Sequence, residues 1–304
     1  MSAPLARKLL PVADPSDSVD FWSENQPGFR FSALEPGTRD FFDEVASHRY
    51  ALEPAIREMV RFDDWRGRDV LEAGCGIGTD AVEFARAGAH YTGLDFSPAA
   101  IALARRRFAL EELEGRLVEG SVTELPFPEA SFDLVYSNGV LHHVDDTDRA
   151  IQEVHRVLRP GGTALVMLYH RNSLNYRVNI MLVRRALAAL LVLPGAVGAV
   201  ATLTRESRDV IEGHRRLLAE HGMAYLRDRS LFLSNNTDGP GGRLSKVYSA
   251  EEGLRALHGF SVARADVRYL NLRLYPAGAR LAATAAGRRL ERRYGWHLWL
   301  RAAK

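Results

Sequence analysis

The sequence predicts an α/β protein in which a mostly parallel sheet is covered by helices on both faces. Three observations carry this. Short apolar, β-rich stretches alternate with helical stretches between Gly67 and Tyr169. The connections between them are long enough for helical crossovers, which place consecutive strands parallel and helices on the two faces. The first stretch, Asp69-Val70-Leu71-Glu72-Ala73, runs straight into a glycine-rich turn.

The elements follow in order. Residues 1–66 read as a helical cap, because Phe41, Phe42, Val45, Tyr50, Ile56, Met59 and Val60 recur at helical spacing around Pro54. A helix is expected over Thr79–Ala87, closed by Gly88, then a strand over Ala89–Asp95. Ser97 has the chemistry of an N-cap for a helix whose first residue is Pro98, with Ile101, Leu103, Ala104, Phe108 and Leu113 as its apolar face. Strands are expected at Arg116–Glu119, Phe132–Tyr136 and Thr163–Tyr169, the last after the turn Arg159-Pro160-Gly161-Gly162, with a helix over Asp148–Leu158. Phe260–Val267 and Trp296–Arg301 read as two closing strands. Residues 67–170 and 250–304 are therefore expected to form the sheet domain, and residues 171–249, which break the alternation, a helical lid.

The 304 residues are 46% hydrophobic and 26% charged, which fits a soluble globular chain and excludes collagen, coiled coil and an acidic tail. Cys75 is the only cysteine, so neither an intrachain disulfide nor a cysteine-rich metal centre can form; no metal is expected. A reducing cytoplasmic setting follows, and Met1–Pro11 lacks the apolar run of a signal peptide. Charge is segregated. Residues 1–170 hold 17 Lys+Arg against 28 Asp+Glu, whereas residues 171–304 hold 23 against 10. The basic second half suits an anionic substrate, an anionic membrane surface or nucleic acid, or is simply a solvated arginine surface.

Gly74, Gly76 and Gly78 stand at alternate positions between a strand and a helix, so that backbone can approach a ligand closely. A dinucleotide fingerprint would need glycine at position 79, where the chain has Thr79. Asp95, at the end of the second strand, is placed to accept both hydroxyl protons of a ribose, which implies an adenosine ligand. These residues, with Gly93-Leu94-Asp95-Phe96-Ser97, Phe132-Asp133-Leu134-Val135, Leu141-His142-His143-Val144 and Leu158-Arg159-Pro160-Gly161-Gly162, resemble the class I S-adenosylmethionine-dependent methyltransferases. The resemblance is to the branch that includes the ubiquinone and menaquinone enzymes (methyltransferase type 11) and covers roughly residues 67–170.

It implies a Rossmann-like seven-stranded sheet with the last strand antiparallel, S-adenosylmethionine as cofactor and S-adenosylhomocysteine as product. It also implies roles. Glu72 would order the loop or the cofactor's amino end, and Gly74, Gly76 and Gly78, with Cys75 and Thr79, would line its methionine and ribose portion. Asp95 would bind the ribose diol and Phe96 would lie against adenine. Ser121 or the backbone of Val122 would replace the acidic residue that the family often uses for the adenine amino group, and Ser137 and Asn138 would face the amino-acid end. Cys75 reads as loop packing, since transfer from a sulfonium needs no covalent enzyme intermediate.

His142 and His143 follow the fourth strand and are candidate bases for an acceptor that must lose a proton, with a structural role in holding the loop as the alternative. Tyr169, His170 and Arg171 end the fifth strand, where acceptors bind in such sheets. Tyr50, beside Arg49, either closes over the cofactor or packs the cap on the sheet. Ala186–Leu203 has no charged residue and is flanked by Arg184, Arg185, Arg205, Arg208, Arg215 and Arg216. It is expected to turn inward as the wall of an apolar acceptor pocket, with peripheral membrane contact as the alternative. Asn235–Gly242 reads as a flexible polar loop.

The expected function is methyl transfer to an oxygen or nitrogen of a small organic acceptor in bacterial specialised metabolism. The alternatives are a lipid or quinone methyltransferase at the membrane surface and a non-catalytic S-adenosylmethionine-binding protein. No nucleic-acid partner is expected, because Asn138-Gly139-Val140-Leu141 stands where a base-modifying enzyme would carry an Asn/Asp-Pro-Pro-aromatic grip.

Overall fold

The computed structural model describes residues 21–23, 26, 28–270, 278–282 and 284–304; the signal-peptide reading of residues 1–11 lies outside them. Seven strands, β1 (Asp69–Ala73), β2 (His90–Asp95), β3 (Arg116–Glu119), β4 (Phe132–Asn138), β5 (Leu158–Tyr169), β6 (Val262–Arg268) and β7 (His297–Ala303), form one sheet in the order β3-β2-β1-β4-β5-β7-β6. Pairings among β1 to β5 are parallel, and β7 is antiparallel to both β5 and β6. The strand order reverses between β1 and β4, so a crevice opens at their carboxyl ends.

Alternation along the strands builds two cores. Leu71, Leu94, Val135, Val166 and Leu300 face one side, under helix α5 (Thr147–Val157) and helix α12 (Ala250–Ala256). Val70, Tyr91, Leu134, Tyr136 and Trp299 face the other. There they meet α2 (Ala55–Val60), α3 (Ala81–Arg86) and α4 (Pro98–Glu111). The cap's Ile56, Val60 and Phe62 are part of this second core. Its longer helix, α1 (Arg39–Leu52), buries Phe41, Phe42 and Val45 against Ile77 of the glycine loop.

Several boundaries differ from the sequence reading for physical reasons. The helix after the loop starts at Ala81, because Thr79 and Asp80 are engaged as described below. Strand β5 begins at Leu158 and takes in the Pro-Gly-Gly turn: Phe132 pairs with Leu158, then Leu134 with Thr163 across a register shift, with Gly161 at φ 78°. Helix α4 is capped as expected, the Ser97 hydroxyl accepting from Ala100 N at 3.2 Å.

The segment expected as a lid is helical, with a wide π-type helix α6 (Asn175–Arg184), then α7 (Arg185–Leu190), α8 (Ala196–Thr204), α9 (Arg208–His221), α10 (Met223–Arg227) and α11 (Arg229–Thr237). Two expectations fail here. Asn235, Asn236 and Thr237 are the last turn of α11, held because Asn236 Nδ2 donates to Phe232 O (2.8 Å) and Asn235 Nδ2 to Leu231 O (2.9 Å). The Ala186–Leu203 run buries Ala188, Leu191, Val200 and Ala201 in the lid's own core, while Leu190, Val192, Leu193 and Leu203 face outward. It does not wall the crevice. Two further helices, α13 (Gly278–Ala282) and α14 (Ala285–Tyr294), precede β7.

Candidate active site

A cavity of about 1880 Å³ occupies the crevice. A single small-molecule pocket is roughly 300–1,000 Å³, so this one has room for two ligands. One end is walled by the glycine loop, Asp95, Phe96, Ser121 and Val122; the middle by Asn138, His143, Tyr169 and Trp296; the far end by Asn179, Arg184, Arg205 and Glu206 of the lid.

At the loop end, Asp95 Oδ2 accepts from Gly76 N (2.9 Å) and Oδ1 from Ser97 N (3.0 Å). Burial pushes this carboxyl up, the amide donors only partly opposing it. Two glycines are needed for different reasons. Gly74 (φ 87°) would place a Cβ 2.2 Å from Val140 Cγ2, so its hydrogen makes room for the loop after β4. Gly76 (φ 52°) has nothing within 4 Å of its Cβ position, so its backbone lies open. Glu72 is buried and accepts from the Tyr91 hydroxyl at 2.6 Å. Burial, then the charge of Asp80, pushes its carboxyl well above the usual range. Burial likewise raises the Cys75 thiol, which argues against a thiolate nucleophile.

The cap is locked to the loop through Asp80. Its carboxylate receives Arg49 Nη2 (2.7 Å) and Nε (3.2 Å), the Tyr50 hydroxyl (2.9 Å) and the Tyr136 hydroxyl (2.7 Å). Burial alone would raise the Asp80 carboxyl, but the Arg49 charge and these donors hold it below the ordinary value. Arg49 reaches the cavity; Tyr50 does not.

In the middle of the cavity His143 meets the lid. Its Nδ1 lies 2.7 Å from Leu244 O, and a carbonyl can only accept, so Nδ1 carries a proton and Nε2 is the atom left to take one. Nε2 lies 3.4 Å from Asp238 Oδ2, and the Tyr169 hydroxyl donates to Asp238 Oδ1 at 3.2 Å. Trp22 packs edge-on against the His143 ring at 5.1 Å between centroids.

A family profile described as "Methyltransferase domain" matches residues 71–166, from β1 into β5. This segment is a methyltransferase domain. A probable S-adenosylmethionine-dependent methyltransferase of Mycolicibacterium smegmatis is 41% identical over 105 residues, 34% of this chain and 39% of that protein. A fatty-acid O-methyltransferase of the same organism is 44% identical over 117 residues, covering 38% of this chain and 42% of its own length. The chain thus spans about two fifths of these curated relatives. A crystal structure of an S-adenosylmethionine-dependent methyltransferase from Mesorhizobium loti is similar over 83% of this chain and 96% of that one, at 22% identity and a TM-score of 0.49.

The family's cofactor is S-adenosylmethionine, and the residues of the methyltransferase domain fit it. The open backbone at Gly76 leaves space where a side chain would intrude. Asn138 lines the cavity with both amide atoms buried and unpartnered, and the ammonium and carboxylate of an amino-acid moiety would satisfy its oxygen and nitrogen. Thr79, Ser121 and Val122 also line the cavity; the Thr79 hydroxyl accepts from Arg107 Nη1 at 3.3 Å, and that of Ser121 pairs with Thr123 at 2.8 Å.

Other expected residues are turned elsewhere. Gly78 (φ 81°) packs on Ala104 of α4 and is outside the cavity wall. The Ser137 hydroxyl donates to Ala73 O at 2.8 Å, fastening β4 to β1, and the residue is fully buried. His142 is also fully buried, its ring 3.8 Å from that of Tyr169, and burial, then the His143 charge, pushes its pKa well below the ordinary value. Unlike His143, it does not line the cavity. His170 Nδ1 bonds Gly295 O at 3.0 Å, and Arg171 pairs with Glu252 at 2.6 Å; neither lines the cavity, since the isolated bridge from His170 to Tyr248 turns the chain away after β5. Sequence reading missed Asp238, whose partner His143 is remote in the chain, and Asp80, whose role needs the cap folded on the loop.

Proposed function

We propose that the chain is an S-adenosylmethionine-dependent methyltransferase acting on an oxygen or nitrogen of a small organic acceptor, working in the cytoplasm. The supporting observation is that one cavity joins Gly76, Asp95 and Asn138 to the His143–Asp238 pair. When bound, S-adenosylmethionine supplies an activated methyl on a sulfonium, whose displacement leaves a neutral thioether. Asp95 would accept the ribose hydroxyls, Asn138 would hold the amino-acid end and Phe96 would lie against the adenine. The acceptor's proton moves to His143 Nε2, and Asp238 stabilises the resulting imidazolium. Trp22, Tyr169 and Trp296 give the acceptor an aromatic wall that excludes water.

The far wall, with Arg184, Arg205 and Asn179, suits an acceptor with a polar or anionic end. The outward-facing apolar residues of α7 and α8 favour a second reading, a lipid-like acceptor met at a membrane surface. The O-methyltransferase activity named for a fatty-acid-modifying relative supports oxygen as the methylated atom in either case. Incubation with methyl-labelled donor and a small-molecule extract tests the proposal. Label should enter a small-molecule fraction with the wild-type chain and fall about a hundredfold with His143→Ala. Donor binding without label in any fraction would instead support a non-catalytic binding protein, and label in RNA would overturn the small-molecule assignment.

A further inference from the structure

Eight of the fourteen exposed large apolar side chains among the described residues fall between Leu174 and Leu203. Scattered exposed leucines need no explanation, but this concentration does. The most exposed lie in the α7–α8 connection and on α8: Val192 (69%), Leu193 (57%) and Leu203 (70%), with Leu182 (62%) on the helix before α7. The turn itself, residues 191–195, holds no charge and carries Pro194 and Gly195 at its exposed tip.

Cations border α8, Arg205 closing its C-terminal end and Arg208 reaching back to its first turn. Arg205 and Arg208 are exposed and make no ion pair among the described residues. The Arg208 guanidinium lies alongside α8, 3.4 Å from where a Cβ on Gly198 would stand. Of the nearby carboxylates, Glu206 pairs with Arg184 (2.8 Å) and Glu212 with Arg215 (2.5 Å), while Asp209 beside Arg208 is exposed and makes no ion pair among the described residues. Over residues 171–249 twelve Lys+Arg face six Asp+Glu. Among the described residues no helix is long and apolar enough to cross a membrane.

We propose that the exposed α7–α8 connection and the outer face of α8 are a docking surface for an anionic lipid bilayer. Val192, Leu193 and Leu190 enter the interface between headgroups and acyl chains, and Arg205 and Arg208 meet the lipid phosphates. Charge complementarity selects this occupant over a neutral apolar partner. The location gives the surface a use, because Leu174 and Arg205 lie both on the exposed lid and on the cavity wall, so a docked lid would set the cavity rim at the lipid headgroups.

Co-sedimentation of the full chain with vesicles tests this without depending on methyl transfer. The chain should pellet with equimolar phosphatidylcholine and phosphatidylglycerol at low salt, remain in solution with phosphatidylcholine alone, and be released at high salt. Val192→Ser with Leu193→Ser should weaken binding about tenfold, and Arg205→Gln with Arg208→Gln about tenfold. Unchanged circular dichroism would show that these exposed sites leave the fold intact. Absence from the pellet, or equal binding to neutral vesicles, overturns the proposal. Self-association in sedimentation velocity that the Val192/Leu193 variant abolishes would overturn it too, assigning the surface to a second copy of the chain.

Discussion

Asp238, in the turn that closes the lid's last helix, places Oδ2 3.4 Å from Nε2 of His143, just past β4, so the lid supplies the counter-charge of the sheet's histidine. Asp238→Asn keeps the shape and removes the charge. It is expected to lower kcat/KM by about a hundredfold through kcat while leaving the KM for the methyl donor unchanged. Steady-state kinetics with both substrates varied checks the split; a rise in donor KM alone would move Asp238 from chemistry to cofactor binding.

Gly74 and Val140 form a second testable pair, since a Cβ at position 74 would stand 2.2 Å from Val140 Cγ2 on a backbone at φ 87°. Gly74→Ala should cost about 2–3 kcal/mol, part from the positive φ and part from the clash. Adding Val140→Ala removes the clash and should restore part of the loss, a coupling that urea unfolding of the double-mutant cycle would reveal. Strict additivity would mean that Val140 is not the obstacle.

The cap is held by charge. Asp80→Leu leaves Arg49 in a largely buried position without its carboxylate and removes the acceptor shared by the hydroxyls of Tyr50 and Tyr136. Breaking a buried pair costs about 3 kcal/mol or more, so the thermal midpoint should drop by several degrees. Arg49→Leu with Asp80→Leu should be less damaging than Asp80→Leu alone. Equal losses would show that the charge is not what fastens the cap.

His214 in α9 gives the lid a pH response. Asn236 Nδ2 donates to the Tyr225 oxygen (3.1 Å), so the Tyr225 hydroxyl hydrogen points to His214 Nδ1 (2.7 Å), which therefore acts as an acceptor and stays unprotonated. Burial, then the charge of Arg184, lowers the His214 pKa to about 4. The unfolded chain binds the proton first, near pH 6.5. Stability is therefore fully present above pH 6.5 and is lost as pH falls toward 4, by about 3 kcal/mol from this group. The fall in thermal midpoint over that window should be shallower in His214→Gln. An unchanged slope would mean that His214 is already solvated.

The sheet, and the placing of the glycine loop and Asp95 on one cavity wall, were legible because both rest on short-range signals. Alternating apolar residues define a strand within five or six positions, and the Gly74–Gly78 loop with Asp95 lies within two adjacent strands, where glycine and carboxylate chemistry is local. The acceptor end depends on chain reversals that periodicity does not encode. Tyr169 reaches the cavity while His170 and Arg171 leave it, because the chain bends to meet Tyr248 immediately after β5. Asp238 sits in a stretch whose asparagines and glycines read as a loose loop, yet Asn235 and Asn236 are buried and hydrogen-bonded within α11. The uncharged Ala186–Leu203 run carried no indication of which side chains the lid core would take and which it would leave outside.

S-adenosylmethionine is expected to bind where Asp95 orders the loop backbone through Gly76 and Ser97. Isothermal titration of the full chain with S-adenosylmethionine, and of Asp95→Ala, tests it most directly. Removing two charge-assisted hydrogen bonds and the diol acceptor should weaken binding at least about tenfold, with circular dichroism unchanged. A wild-type chain that releases no heat of binding, or an Asp95→Ala chain that binds as tightly as wild type, would contradict the account.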